Sequence, residues 1–256
     1  MVNLQSKQEF KNWINQIKTS ENELDIIPPN VDDLYSLYRH CRLSNSIAAV
    51  EIGSGWSTTI IAKALSENQL SNHELIEKLR HPNPYALMTL DCSKKFLEVA
   101  KKRQKEFAPM KVSYIKTSAR YSMVRGQVCS LFRNFPHHTS DFIYLDGPAC
   151  DQVKKSVRGF HGRFGSRENY GLPMSGDLLT IENWLWPGTI IVVDGRGANA
   201  AFLRDNFQRN WNYRFDTEVD QHTFYLDEKP WGKYSELLLT LKQQWISDYF
   251  RRQKLV

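Results

Sequence analysis

Short apolar segments that alternate with helical patterns constrain the fold of this chain more than any other feature. Between residues 47 and 210, the apolar segments are bounded by turn residues, and amphipathic stretches separate them. Strands that are apolar on both faces are typical of a parallel sheet covered by helices on each side. We therefore predict a doubly wound α/β domain. The predicted strands are 47–53, 85–91, 111–117, 140–147 and 188–195, and the predicted helices are 57–65, 93–107, 177–185 and 199–210.

Helical patterns come first in the chain, and strand patterns come last. Residues 7–19 place Phe10, Trp13, Ile14 and Ile17 on one helical face. A second predicted helix covers 31–41, with Asn30 as its N-cap. Residues 212–219 and 222–228 predict an antiparallel hairpin that closes the sheet. The predicted organisation is an N-terminal helical cap (1–44) and one α/β domain (45–256) that has insertions at 66–84 and 149–176.

Composition excludes several classes of protein. The four cysteines are scattered, which excludes a disulfide scaffold and a cysteine-rich zinc site and indicates a reducing compartment. No apolar run is long enough to span a bilayer and no secretory signal is visible, so we expect a cytoplasmic protein without membrane contact. The net charge of +6 is compatible with an anionic substrate or with nucleic acid.

Ligands of open α/β sheets bind at the carboxyl ends of the strands, and acidic residues lie at or near four of these ends. The first strand runs into the turn Glu51-Ile-Gly53-Ser54-Gly55-Trp56-Ser57. Thr58 stands where a dinucleotide fingerprint has its third glycine, and Glu51 precedes the turn. An acid at this place suits a cationic ligand group better than a pyrophosphate.

The second predicted strand ends in Asp91. An acid at this position typically accepts hydrogen bonds from the two hydroxyls of a ribose. Asp91 follows Gly53 by 91 − 53 = 38 residues, more than the roughly 20 residues of a compact unit. We attribute the excess to the hydrophilic segment 66–84, interpreted as a surface insertion.

Taken together, E-I-G-S-G-W-S after the first strand, L-D after the second and Y-L-D-G-P after the fourth resemble class I S-adenosylmethionine-dependent methyltransferases, closest to those that modify small molecules or sugars. The resemblance covers about residues 45–228 and implies a mostly parallel seven-stranded sheet of order 3-2-1-4-5-7-6. It also implies S-adenosylmethionine as the cofactor. The residues implied to bind it are Glu51, Gly53, Ser54, Gly55 and Ser57 near the methionine end, Asp91 at the ribose, Cys92, Ser118 and Ala119 beside the adenine, and Asp146 facing the methyl group.

Methyl transfer to a hydroxyl group also requires that the acceptor lose a proton. Three alternatives remain open. Asp146 and Asp194 end neighbouring strands and could share a divalent metal, although Gly195 replaces the second residue of the Asp-Asn pair found in catechol-type enzymes, so a metal is not favoured. His161 could act as the base. Asp146 could accept the proton itself.

We predict O-methylation of a small anionic or sugar-like acceptor, because arginines in the insertion 149–176 suit a carboxylate or phosphate. One alternative is a nucleic-acid methyltransferase, although the sequence lacks an N/D-P-P-Y-type tetrad and an RNA-binding appendage. A second alternative is a non-catalytic or nicotinamide-binding Rossmann protein. The oligomeric state is not predicted.

Overall fold

A computed structural model describes residues 6–20, 28–77, 81–136, 138–149, 152–154, 156–157, 160–161 and 174–251. Its helices are α1 (Lys7–Ser20), α2 (Val31–Leu43), α3 (Trp56–Glu77), α4 (Lys94–Phe107), α5 (Asp177–Ile181), α6 (Gly197–Asn206) and α7 (Lys233–Ile246). Short helical turns of other types cover Glu182–Trp184 and Ser247–Arg251. The strands are β1 (Ala49–Ile52), β2 (Leu87–Asp91), β3 (Val112–Lys116), β4 (Ala119–Val124), β5 (Gln127–Phe132), β6 (Phe142–Leu145), β7 (Val153–Lys154), β8 (Ser156–Val157), β9 (Phe160–His161), β10 (Ile190–Asp194), β11 (Trp211–Asp216) and β12 (Gln221–Leu226).

The main sheet has seven strands in the order β3-β2-β1-β6-β10-β12-β11. Numbered along the chain within this sheet, the order is 3-2-1-4-5-7-6, which confirms the prediction. The first five strands are parallel, and β12 is antiparallel to both β10 and β11. The carboxyl ends of β1, β2, β6 and β10 therefore meet at one edge of the sheet. This is the α/β fold of the class I methyltransferases.

Helices cover both faces of the sheet, as predicted. One hydrophobic core lies between the sheet and the face formed by α1, α2, α3 and the C-terminal helices, and it includes Phe10, Ile60 and Trp245. The other core lies under α5 and α6 and includes Leu178 and Leu203. The helix α7, absent from the sequence prediction, contributes to the first core.

A β-hairpin, which the sequence analysis missed, connects β3 to β6. Its strands β4 and β5 pair antiparallel through a turn at Arg125 and Gly126, both with positive φ. The hairpin packs on the second core through Tyr121 and Cys129. Both described ends of the insertion 149–176 attach to it, since β7 pairs with β4 and Ser175 bridges to Ser130 of β5.

Helix α3 is longer than predicted and continues through residues 66–77. The polar side chains of this segment have partners on α2, which explains why a hydrophilic stretch remains helical. The Tyr38 hydroxyl donates to Glu67, and Arg42 donates to the Asn68 side chain over 2.9 Å. Glu67 and Asn68 are consequently buried, so this part of the segment 66–84 is not a surface loop.

No helix within the described part of the chain combines the length and the apolar character that crossing a membrane requires.

Candidate functional site

A cavity of about 270 Å³ opens at the carboxyl edge of the sheet, between the glycine turn after β1, the ends of β6 and β10, and the start of α2. Five of the predicted site residues line it: Ser54, Gly55, Ser57, Asp146 and Asp194. Residues far apart in the chain therefore meet where the strand-end argument places them.

The two glycines of the turn have different roles. Gly53 has a φ of +98°, and a Cβ on it would lie 2.9 Å from the backbone oxygen of Asp146. A Cβ on Gly147 would likewise lie 3.0 Å from the Cα of Gly53. Gly53 therefore allows β1 and β6 to end in direct backbone contact. A Cβ on Gly55 would have no heavy atom within 4 Å, so this glycine leaves open space in the cavity.

Glu51 lies beneath the turn and is fully buried. Its two carboxylate oxygens accept hydrogen bonds from the Ser57 hydroxyl (2.5 Å) and the Thr58 hydroxyl (2.6 Å). Burial raises the pKa of Glu51 to about 7, although these hydrogen bonds oppose the shift. Glu51 thus fixes the first turn of α3 by hydrogen bonds. With a pKa of about 7, its carboxyl group changes protonation state near neutral pH.

Asp91 ends β2 and fixes the conformation of the glycine turn. One carboxylate oxygen accepts from the Ser54 amide (2.7 Å) and the Ser54 hydroxyl (2.8 Å), and the other accepts from the Ser93 amide (2.6 Å). Ser93 in turn caps α4. Three protein donors already bind this carboxylate, so it can accept both hydroxyls of a ribose only after the Ser54 hydroxyl rotates away.

Asp146 directly follows β6, Asp194 is the last residue of β10, and both line the cavity. Asp146 is exposed through the cavity, but protein surrounds it on the other sides. Burial and the neighbouring Asp194 raise the pKa of Asp146 to about 7, and Arg196 opposes this shift. Burial also raises the pKa of Asp194, which accepts a hydrogen bond from Gln221 over 2.9 Å. A carboxyl group with a pKa near neutrality can both accept and release a proton.

Sequence reasoning missed several residues of the cavity. Asp33, in the first turn of α2, lines it, and burial together with Asp194 raises its pKa to about 6. The Arg103 guanidinium, 1% exposed, lies 3.9 Å from the centre of the Trp56 ring. Tyr144 of β6 also lines the cavity and hydrogen-bonds to Asp194. The polar strand ends were a signal in the sequence, whereas the contributions of α2 and α4 depend on packing.

The other predicted residues do not line the cavity, or their side chains lie outside the described part of the chain. Cys92 contacts the backbone of Ala119, the first residue of β4, and Ser118 lies in the short connection from β3 to β4. The backbone of His161 lies in β9, paired with Ser156, but its side chain is not described, and neither are the insertion's arginines. Among the described residues, no three His, Cys, Asp or Glu side chains are arranged to hold a metal ion.

No family model matches the chain, and no curated protein is similar to it in sequence. Solved structures with a related fold include the O-methyltransferase TomG from Streptomyces achromogenes in complex with S-adenosylmethionine, at 14% identity and a TM-score of 0.43 over 89% of this chain and 92% of that chain. An O-methyltransferase from Bacillus cereus in complex with S-adenosylhomocysteine has 15% identity and a TM-score of 0.44 over 86% and 91%. The S-adenosylhomocysteine-bound methyltransferase PaMTH1 from Podospora anserina has 12% identity and a TM-score of 0.48 over 86% and 88%.

Proposed function

We propose that the protein is an S-adenosylmethionine-dependent methyltransferase that methylates a small acceptor through oxygen. The observation that carries this proposal is the convergence of Ser54, Gly55, Asp146 and Asp194 on one cavity at the carboxyl edge of a 3-2-1-4-5-7-6 sheet.

The residues present fit this cofactor. Gly55 leaves open space that a side chain would fill, as a cradle for a ligand requires. Asp146 lines the cavity and suits a cationic group of the cofactor, and Arg103 lines the same cavity. Glu51 was predicted to bind the cofactor, but it is fully buried and both of its carboxylate oxygens accept hydrogen bonds from the protein, so in this proposal it supports the turn from behind. In this proposal Ser54, Gly55 and Ser57 contact the methionine end, Asp91 binds the ribose, and Cys92, Ser118 and Ala119 flank the adenine.

When bound, S-adenosylmethionine supplies an electrophilic methyl group. The chain contributes position and a proton acceptor. Asp146, with a pKa raised to about 7, would take the proton that the acceptor hydroxyl loses, while the methyl–sulfur bond of the cofactor would break and S-adenosylhomocysteine would be the leaving group. Tyr144 and Gln221 form hydrogen bonds with Asp194. These bonds fix the cavity wall formed by Asp33 and Asp194, against which the acceptor is proposed to lie. His161 remains an alternative base.

The acceptor is proposed to be a small hydroxylated molecule of the size of the cavity. Its predicted negative charge depended on arginines of the insertion, which lie outside the described residues. The described wall beside Asp146 instead carries the carboxylates of Asp33 and Asp194, which disfavour an anion. A nucleic-acid acceptor is disfavoured for the same reason.

Calorimetric titration of the protein with S-adenosylhomocysteine and, separately, with NAD tests the cofactor. We expect S-adenosylhomocysteine alone to bind. Asp91→Ala should weaken this binding by at least about 30-fold, because a charge-assisted hydrogen-bond acceptor for the ribose is lost. Ser93→Ala, which removes the cap of α4 but keeps the Asp91 carboxylate, is the control and should bind normally. Binding of NAD instead would identify the protein as a nicotinamide-binding relative.

Asp146→Asn tests the proposed base. Turnover of S-adenosylmethionine with an accepted substrate should fall by about 100-fold or more, because general-base catalysis contributes this much. Affinity for S-adenosylhomocysteine should change little. Full turnover in the variant would exclude Asp146 as the base and favour His161→Ala as the next variant to measure.

A further inference from the structure

Three carboxylates from three separate elements meet at the cavity: Asp33 from α2, Asp146 after β6 and Asp194 of β10. All three line the same cavity, and burial together with repulsion from Asp194 raises the pKa of both Asp33 and Asp146. None of the three has an ion-pair partner within 4.0 Å among residues 6–20, 28–77, 81–136, 138–149 and 174–251. This wall therefore offers negative charge that the described protein does not neutralise by direct contact.

Gln221 fixes this wall. It is 1% exposed, and its side-chain amide donates to the Asp194 carboxylate (2.9 Å) and to the backbone oxygen of Asp33 (3.0 Å). The start of α2 is thereby tied to the end of β10. The Gln221 side-chain oxygen is buried and has no donor among the described residues. Buried polar atoms normally have partners, so an unpartnered acceptor beside two carboxylates indicates that this wall has more hydrogen-bond acceptors than donors.

Asp33 and Asp194 lie outside the part of the edge that the proposed cofactor needs. The glycine turn follows β1 and Asp91 ends β2, whereas Asp194 ends β10, two strands beyond β1 in the sheet. Asp33 belongs to the helix that covers this end. The positive charges of the cofactor therefore leave these two carboxylates available to another ligand.

We propose that the acceptor carries a protonated amine, and that Asp33 and Asp194 are the specificity-determining groups that bind it. This inference rests on the proposed function and names the substrate class of the same site. An ammonium supplies three donors and a positive charge, which match the two carboxylates of this wall. Tyr144 adds an aromatic side chain to the same wall. An organic cation fits better than a metal ion, because the described carboxylates do not form a metal-ligand set.

Three small probes that share a hydroxyphenyl group and differ in charge test the proposal: tyramine (cationic), tyrosol (neutral) and 4-hydroxyphenylacetate (anionic). Binding to the full chain is measured by calorimetry or ligand-observed NMR, with and without saturating S-adenosylhomocysteine. Tyramine should bind about tenfold tighter than 4-hydroxyphenylacetate, and tyrosol should lie between them, since a partly desolvated charge pair contributes more than an exposed one.

The chain provides a matched control for Asp33. Asp32 lies in the same first turn of α2, but its side chain is 56% exposed and forms an ion pair with Lys7. Asp33→Asn should reduce the preference for tyramine at least about fivefold, whereas Asp32→Asn should leave it within about twofold. Both variants lose the same charge from the same helix end. A difference between them therefore measures what the position of Asp33 in the cavity contributes to tyramine binding.

Several results would overturn the proposal. These are a failure of tyramine to bind more tightly than tyrosol, equal effects of Asp33→Asn and Asp32→Asn, and displacement of tyramine by millimolar Mg²⁺, which would indicate a metal site. The S-adenosylhomocysteine titration on the same protein separates this inference from the proposed function. If the protein binds S-adenosylhomocysteine but does not prefer tyramine, the proposed function stands and the proposed amine specificity is wrong.

Discussion

An aspartate flanks the strand β6 at each end, and the two residues show how differently the opposite edges of the sheet treat a carboxylate. Asp141, at the start of the strand, is 4% exposed and fully partnered. One of its oxygens accepts from the Ile47 and Ala48 amides at 2.9 and 2.8 Å, and the other pairs with Lys242 at 2.8 Å. This aspartate joins α7 to the start of β1 and β6.

Asp146, at the other end of the same strand, has no such partners among the described residues. Its neighbours are Asp194, which raises its pKa, and Arg196, which lowers it. A protein that only stabilises itself pairs its buried charges, whereas a carboxylate left unpaired in a cavity is typical of a group that meets a ligand. Asp141 therefore has a structural role, and within six residues of sequence lies Asp146, for which we propose a functional one.

The contrast predicts a large loss of stability for a substitution at Asp141 and almost none at Asp146. The loss at Asp141 is the largest effect that we expect. Asp141→Asn leaves Lys242 buried without an anion, so the free energy of unfolding should fall by about 3–5 kcal/mol. Asp146→Asn should keep it within about 0.5 kcal/mol of the unmutated protein. Urea denaturation at neutral pH measures both. The double variant Asp141→Asn/Lys242→Met, which removes both charges, should recover part of the loss, and equal losses in the two single variants would contradict the contrast.

The two glycines of the turn extend the comparison to the backbone. Gly53→Ala should destabilise the protein by about 3 kcal/mol, because the positive φ and the contact with Asp146 both oppose a Cβ. Gly55→Ala should cost less than about 0.5 kcal/mol but weaken S-adenosylhomocysteine binding, because its Cβ would enter the proposed ligand space. Denaturation and calorimetry on the same pair distinguish the outcomes. Normal binding of S-adenosylhomocysteine by Gly55→Ala would contradict the proposal that the ligand lies against this turn.

Glu51 gives a smaller effect that depends on pH. Folding raises the pKa of Glu51 from 4.5 to about 7, so the folded chain holds this proton more tightly than the unfolded chain does. The free energy of unfolding therefore falls as the pH rises between these values. In Glu51→Gln the loss of stability from about pH 5 to about pH 8 should be smaller by about 2 kcal/mol. Glu98→Gln, on the exposed face of α4, is the control and should keep the original dependence.

Most of the sheet could be predicted from sequence, because its strands are apolar runs that end in recognisable turn residues. Two elements were missed: the helix α7, for which the sequence carries a helical pattern, and the hairpin β4–β5, whose turn residues are unusual. The segment of α7 places Leu238, Leu241 and Trp245 on one helical face. The hairpin β4–β5 turns at Arg125-Gly126, which is not one of the usual Asn-Gly or Asp-Gly pairs, although both residues adopt positive φ.

From the sequence, only the cavity residues that lie at strand ends could be predicted. Asp146 and Asp194 follow apolar strands, and the topology brings them together. Asp33 stands on a helix of the N-terminal cap, and its place in the cavity depends on how α2 packs over the sheet edge, which Gln221 fixes from nearly 190 residues away. Arg103 is buried in the middle of a basic helix, where periodicity alone indicates a solvated face.

The contact between Gly53 and Gly147 has a mechanical consequence. Two central strands end with main chain against main chain, and no side chain stands between them to absorb a shift. A displacement of the turn that follows β1 is therefore also a displacement of the peptide that follows Asp146. The amide signal of Gly147 would thus report occupancy of the neighbouring turn, even though Gly147 itself is buried beneath it.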